Sequence, residues 1–142
     1  MKASGLSPDQ LKLQARVREL AAGPVASRAA EIDRTEQYPW DNVELLKDEK
    51  LLGITIPTQY GGQSKSWLDA VLVIEALSAT CSVTGRIAVE TNMGAISAVM
   101  AYGSEEQKKM AAGDRASRRQ RLDHQNRVEP ALALAAILGR DR

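Results

Sequence analysis

The sequence predicts an all-α fold: about five helices over residues 1–112, then a poorly specified tail over residues 113–142. Three observations carry that expectation. Helix-start chemistry recurs at Ser7, Ser66 and Ser104, each followed three residues later by an amide or acid that can return a hydrogen bond. Apolar residues between these starts recur at helical spacing. Beyond Ala112 both signals lapse. Every lysine lies at or before Lys109, and the seven basic residues after it are all arginine.

The first helix opens at Ser7-Pro8-Asp9-Gln10, where serine caps, proline suits the first helical position and glutamine completes a capping box. Leu13, Val17, Leu20 and Ala21 share one face. Gly23-Pro24 should kink or interrupt it, because proline lacks the amide donor and crowds the preceding turn. The pattern resumes through Val25, Ala29 and Ile32, and Asp33 to Pro39 reads as a polar connection. Pro39-Trp40-Asp41 opens a second helix with Val43, Leu46 and Lys50 or Leu51 inward, ended by Gly53. Ile54-Thr55-Ile56 is short, β-branched and stopped by Pro57. Tyr60-Gly61-Gly62 is a turn, since paired glycines supply positive φ without steric cost.

Ser66 caps a third helix carrying Ala70, Val71, Ile74 and Leu77. A fourth is expected from Ser82 to Tyr102. It is rich in small residues (Gly85, Ala88, Gly94, Ala95, Ser97, Ala98, Ala101), the composition of a helix enclosed on most sides. Gly103 suits a left-handed cap, and Ser104-Glu105-Glu106-Gln107 opens a fifth helix, its acids preceding its lysines as the helix dipole prefers. Trp40 and Trp67 read as core anchors near helix starts. No fixed-period repeat is visible.

A formal net charge of +1 predicts no general attraction to nucleic acid or anionic lipid. Aromatic residues make up 4% of the chain and phenylalanine is absent, which argues against a stacking platform for single strands. No apolar run approaches the roughly 20 residues needed to cross a bilayer. The first residues lack the apolar core of a signal peptide, so a cytoplasmic protein is expected. The single cysteine, Cys81, and the single histidine, His124, make neither a zinc site nor a nucleophile pair; Cys81 reads as a small buried residue.

Arg86 and Glu90 stand four apart on the fourth helix. Their plain reading is an ion pair worth about 0.2–0.5 kcal/mol. Yet charges in a mostly small and apolar helix are costly to bury without a partner. Arginine also has the fork geometry that holds a carboxylate, sulfinate or phosphate. Both readings stand on spacing alone. Glu31, Asp33 and Glu36 form no comparable cluster and read as a solvated helix end.

Three ordered segments resemble the N-terminal α-helical domain of the acyl-CoA dehydrogenase family. They are Arg28-Ala29-Ala30-Glu31-Ile32-Asp33, then Gly53-Ile54-Thr55-Ile56-Pro57 running into Tyr60-Gly61-Gly62, then Tyr102-Gly103-Ser104-Glu105-Glu106-Gln107-Lys108. The resemblance covers roughly Leu11 to Ala112. Thr35 to Asn42, Gly85-Arg86-Ile87 and Asn92 to Ile96 are similar to a narrower branch, the 3-sulfinopropanoyl-CoA desulfinases, which remove sulfite from a CoA thioester. The resemblance implies an acyl-CoA thioester substrate and FAD as cofactor in full-length relatives. It also implies three substrate-binding residues: Arg86 toward the anionic end of the acyl group, with Ile87 and Glu90 lining the acyl pocket. It supplies no catalytic, cofactor-binding or metal-binding residue within this chain.

The family places a β-domain with flavin-contacting segments shortly after Ala112, then a helical domain bearing the general base. Gly113-Asp114-Arg115 leads into nothing similar, and residues 113–142 read as an out-of-frame or disordered extension. The expectation is a truncated member that alone binds no stoichiometric FAD and turns over no substrate. The alternatives are a non-enzymatic helical interaction module, which forms homo-oligomers or aggregates through exposed apolar surface, or a nonfunctional truncated product.

Overall fold

A computed structural model describes residues 5–111, and the tail expectations for residues 113–142, with His124, lie outside the described residues. Among the described residues the fold is all-α, with no strand. Helix α1 spans Pro8–Leu20, a π-helical turn spans Ala21–Val25, and α2 spans Ala26–Thr35. Then come α3 (Trp40–Asp48), a 3-10 turn (Thr58–Tyr60), α4 (Trp67–Ser78), α5 (Ser82–Asn92) and α6 (Ala95–Tyr102). A last helical stretch, α7, covers residues 105–111. The five expected helical segments are present, the first and fourth each divided.

The capping chemistry is as read. Ser7 Oγ accepts the Gln10 amide at 3.2 Å and Gln10 Oε1 accepts the Ser7 amide at 3.0 Å. Ser66 and Asp69 repeat the exchange, as do Ser104 and Gln107. At Gly23-Pro24 the chain stays helical. The wider π turn accommodates proline, whose ring clashes with the carbonyl four residues back in a regular α-helix.

Three expectations about the backbone fail. Helix α3 ends at Asp48, well before Gly53, with Lys50 taking the left-handed turn (φ 55°). Gly103 is extended (φ −72°, ψ 157°); its glycine is needed because an added Cβ would lie 2.6 Å from the Val99 carbonyl oxygen. The segment read as one helix from Ser82 to Tyr102 breaks at Met93-Gly94, and no residue of α6 is buried. Enclosure therefore holds for α5, whose Thr84, Gly85, Ile87, Ala88 and Asn92 are buried, and not for α6.

Helix α4 lies at the centre, packed on α1 and on α5. It buries Ala70, Leu72, Val73, Ala76 and Leu77, a set too broad for one face, as a helix covered on two sides requires. Val71, expected inward, is instead exposed, and so is Trp67, at 56%. Trp40 is half-buried and packs on Tyr38, ring centroids 4.7 Å apart. The core joins Val17 and Val25 to Leu46, Leu51, Ile54, Val73, Leu77, Ile87 and Ala88; Cys81 is buried at its edge.

Between α3 and α4 the chain forms a compact loop. Ile54 and Ile56 are buried, and their carbonyls accept the Lys65 and Ser64 amides, each at 2.9 Å. Gly61 supplies the positive φ (80°) and Gly62 the close approach, since a Cβ there would meet the Ile56 oxygen at 2.0 Å. The turn read at Tyr60-Gly61-Gly62 is thus present, one glycine serving each need.

Candidate functional site

Helix α5 carries the charged pair. Arg86 projects from its outer face with 73% of its side chain exposed, and its Nη2 forms an ion pair with Glu90 Oε1, one turn on. The other Glu90 oxygen, Oε2, accepts the Ala95 amide at 3.4 Å, at the start of α6. Gly94 makes room for it: a Cβ there would stand 2.5 Å from Oε2. A carboxylate at a helix N-terminus is favoured by the exposed amides and their dipole. Ile87, which the resemblance places in the lining of the acyl pocket, is buried in the core.

A buried polar chain fixes the helix beneath Arg86. The Arg28 Nη1 donates to Asn42 Oδ1 at 2.9 Å, and Asn42 Nδ2 donates to Thr84 Oγ1 at 2.8 Å. Asn42 and Thr84 are fully buried, so α2, α3 and α5 are joined through a region shielded from water. At the other end of α5, Asn92 is also fully buried. Its Nδ2 donates to the Leu51 and Ala88 carbonyls at 3.0 and 2.9 Å, while its backbone carbonyl accepts the Thr55 hydroxyl. Among the described residues no buried side-chain polar atom lacks a partner.

Two open clefts flank these elements. One of about 300 Å³ is lined by Ile32, Asp33, Glu36, Gln37, Tyr38 and Val83, the last residue one turn before Arg86. It joins the end of α2, where Glu36 takes a left-handed conformation, to the outer face of α5. The other, about 500 Å³, is mainly apolar and lies between α6 and α7, with Val99, Tyr102 and Met110 in its wall. Tyr60 ties α7 to the 3-10 turn, donating its hydroxyl to Glu105 Oε2 at 2.6 Å. That hydrogen bond, and the Lys108 ammonium beside it, hold the Glu105 carboxyl below the usual glutamate range.

Neither cleft gathers the donors that a dinucleotide's phosphates require, and no orphaned polar atom is aimed into either. Within these two clefts, then, the described residues show no donor set for FAD's phosphates. Among them, no cluster of three or more His, Cys, Asp or Glu side chains is placed to hold a metal ion, and no helix is long and apolar enough to cross a membrane.

The described residues are thus an all-helical unit with the exposed Arg86 one turn beyond Val83 of the smaller cleft. The sequence profile described as acyl-CoA dehydrogenase, N-terminal domain, matches residues 7–118, and the chain belongs to that family. It is 52% identical over 107 residues to the 3-sulfinopropanoyl-CoA desulfinase of Paraburkholderia xenovorans, covering 75% of this chain and 28% of that protein. With the enzyme of that name from Variovorax paradoxus it shares 54% identity over the same length, covering 75% of this chain and 27% of the relative. With the short-chain specific acyl-CoA dehydrogenase of Clostridium acetobutylicum it shares 35% over 103 residues, 72% of this chain and 27% of that protein. The chain thus spans little more than a quarter of these relatives' length.

Sequence reasoning found Arg86 and Glu90 because four-residue spacing is a local signal. It assigned no polar contact to Arg28, Asn42, Thr84 or Asn92. The Asn42–Thr84 contact joins residues 42 apart in sequence, a pairing that no periodicity reveals.

Proposed function

We propose that residues 5–111 are the wall of an acyl-CoA site in a flavin-dependent enzyme of the desulfinase kind, with Arg86 facing the anionic end of a short acyl group. The supporting observation is the placement of Arg86: an exposed guanidinium on the outer face of α5, paired with Glu90 and backed by a buried polar chain. Such a group binds a compact oxyanion by paired charge-assisted hydrogen bonds. The names and identities of the desulfinase relatives support the same substrate class. Ile87 supports this face from the core side, and Glu90 borders it.

In such a flavin-dependent enzyme, FAD would supply the redox-active group when bound. This chain's own part is to bind and orient the acyl tail and to exclude water along one side. By itself the 142-residue chain carries no stoichiometric flavin and shows no turnover, and its setting is the cytoplasm.

The test joins residues 7–111 to the remaining sequence of the Paraburkholderia xenovorans desulfinase. The chimera is expected to hold FAD and release sulfite from 3-sulfinopropanoyl-CoA, and R86Q is expected to lower kcat/KM by about 10–100-fold, the scale of one lost charged contact. A flavin-loaded chimera indifferent to R86Q would overturn the reading. Flavin absorbance bound one-to-one to the unfused chain would overturn the statement about the chain alone.

The second reading, a helical interaction module, draws on α6 and α7, where Tyr102 is 90% and Met110 60% exposed beside the larger cleft. Light scattering decides it: a strictly monomeric chain over a hundredfold concentration range counts against self-association.

A further inference from the structure

We infer that Glu90 is a positioning residue for Arg86, and that Gly94 is the condition for its doing so. This inference rests on the reading of Arg86 as the acyl-end contact, and it assigns Glu90 a role other than contact with substrate.

Both oxygens of Glu90 are engaged. Oε1 pairs with Arg86 and Oε2 accepts the Ala95 amide, so one carboxylate bridges the arginine of α5 to the first residue of α6. A lone i, i+4 ion pair on an exposed face holds a long side chain weakly, because both partners lose rotamer freedom to form it. Here the acidic partner is restrained by the second helix, so less of that entropy is lost when the pair closes. The break at Met93-Gly94 is what brings the Ala95 amide back toward Glu90, since an uninterrupted helix would direct that amide to its own backbone. Gly94 completes the arrangement. An alanine Cβ would lie 2.5 Å from Oε2 and 3.1 Å from both Cα and Cδ of Glu90, and the movable end of that side chain would have to leave.

The bridge has a consequence for what the site accepts. Each Glu90 oxygen holds one protein partner, and the other guanidinium N–H groups of Arg86 have no protein acceptor among the described residues. Those free donors suit an acyl terminus that accepts hydrogen bonds, a sulfinate or a carboxylate.

The experiment is side-chain relaxation NMR on the full 142-residue chain, reading the Arg86 Nε–H order parameter in wild type, G94A and E90A. Wild type is expected above about 0.6 and both variants below it, with the Asn92 side-chain amide and the melting temperature little changed. E90A adds no atoms, so it keeps the test valid should G94A fold poorly. Equal Arg86 order in wild type and E90A would overturn the inference. No substrate enters this measurement, so its failure is distinct from an R86Q chimera that keeps full activity.

Discussion

The Asn92 side chain holds the Ile54 amide across 38 residues of sequence, its Oδ1 accepting that N–H at 2.7 Å. Its Nδ2 donates to the Leu51 and Ala88 carbonyls, so one buried amide fastens the loop after α3 to the last turn of α5. N92A leaves a buried donor and a loop carbonyl unpaired and is expected to destabilise the fold by about 3 kcal/mol in urea unfolding. N92D is expected to cost more, because a carboxylate would face two carbonyl oxygens. A loss under 1 kcal/mol for both would show that water replaces the amide.

Gly85 sets how closely α5 approaches the end of α4. A Cβ there would lie 2.1 Å from Ser78 Oγ and 2.7 Å from Ser78 Cα. G85A is expected to lower stability by about 2 kcal/mol, the scale of overpacking a filled site. S78G should restore only part of it, since the backbone contact persists. Full recovery in the double variant, read from the midpoint of thermal unfolding, would place the conflict in the serine side chain alone.

Thr84 and Asn42 are expected to be energetically coupled. T84V removes the acceptor for Asn42 Nδ2 and N42A strands the Arg28 guanidinium, each at about 1–3 kcal/mol. A double-mutant cycle with N42A and T84V should give a coupling of about 1 kcal/mol, and additive losses would argue that the two groups act independently.

The contact between Tyr60 and Glu105 makes the docking of α7 pH-dependent. The folded carboxyl titrates lower than it does in the unfolded chain, so its contribution is complete above the ordinary glutamate range. It is lost as pH falls through the lowered folded value. Y60F should move the Glu105 carboxyl carbon titration upward toward the ordinary range. An unchanged titration curve would assign the shift to Lys108 instead.

How much was legible follows from how local each signal is. Ser7, Ser66 and Ser104 announce their helices because a capping box lies within four residues. The α5–α6 break was hidden because Gly94 lies among other small residues, which a continuous helix also tolerates; the tertiary clamp at Asn92 accompanies the break and could not be read from its neighbours. Trp67 misled for a related reason. Its size suggests a core position, yet it occupies the first helical position, turned outward from the face that buries Ala70 and Val73. In the site, the spacing of Arg86 and Glu90 gave their pairing, while the inward turn of Ile87 follows from packing against the core.

The π turn at Ala21–Val25 keeps an apolar seam in phase. Val17, Ala21 and Val25 are four residues apart and all buried. In a regular α-helix, positions spaced by fours drift sideways around the cylinder with each step, because a turn holds about 3.6 residues. The wider coil between Ala21 and Val25 offsets that drift, and α2 continues from it to carry Arg28, which donates to Asn42. The proline that forbids an ordinary helix there thereby steers the chain.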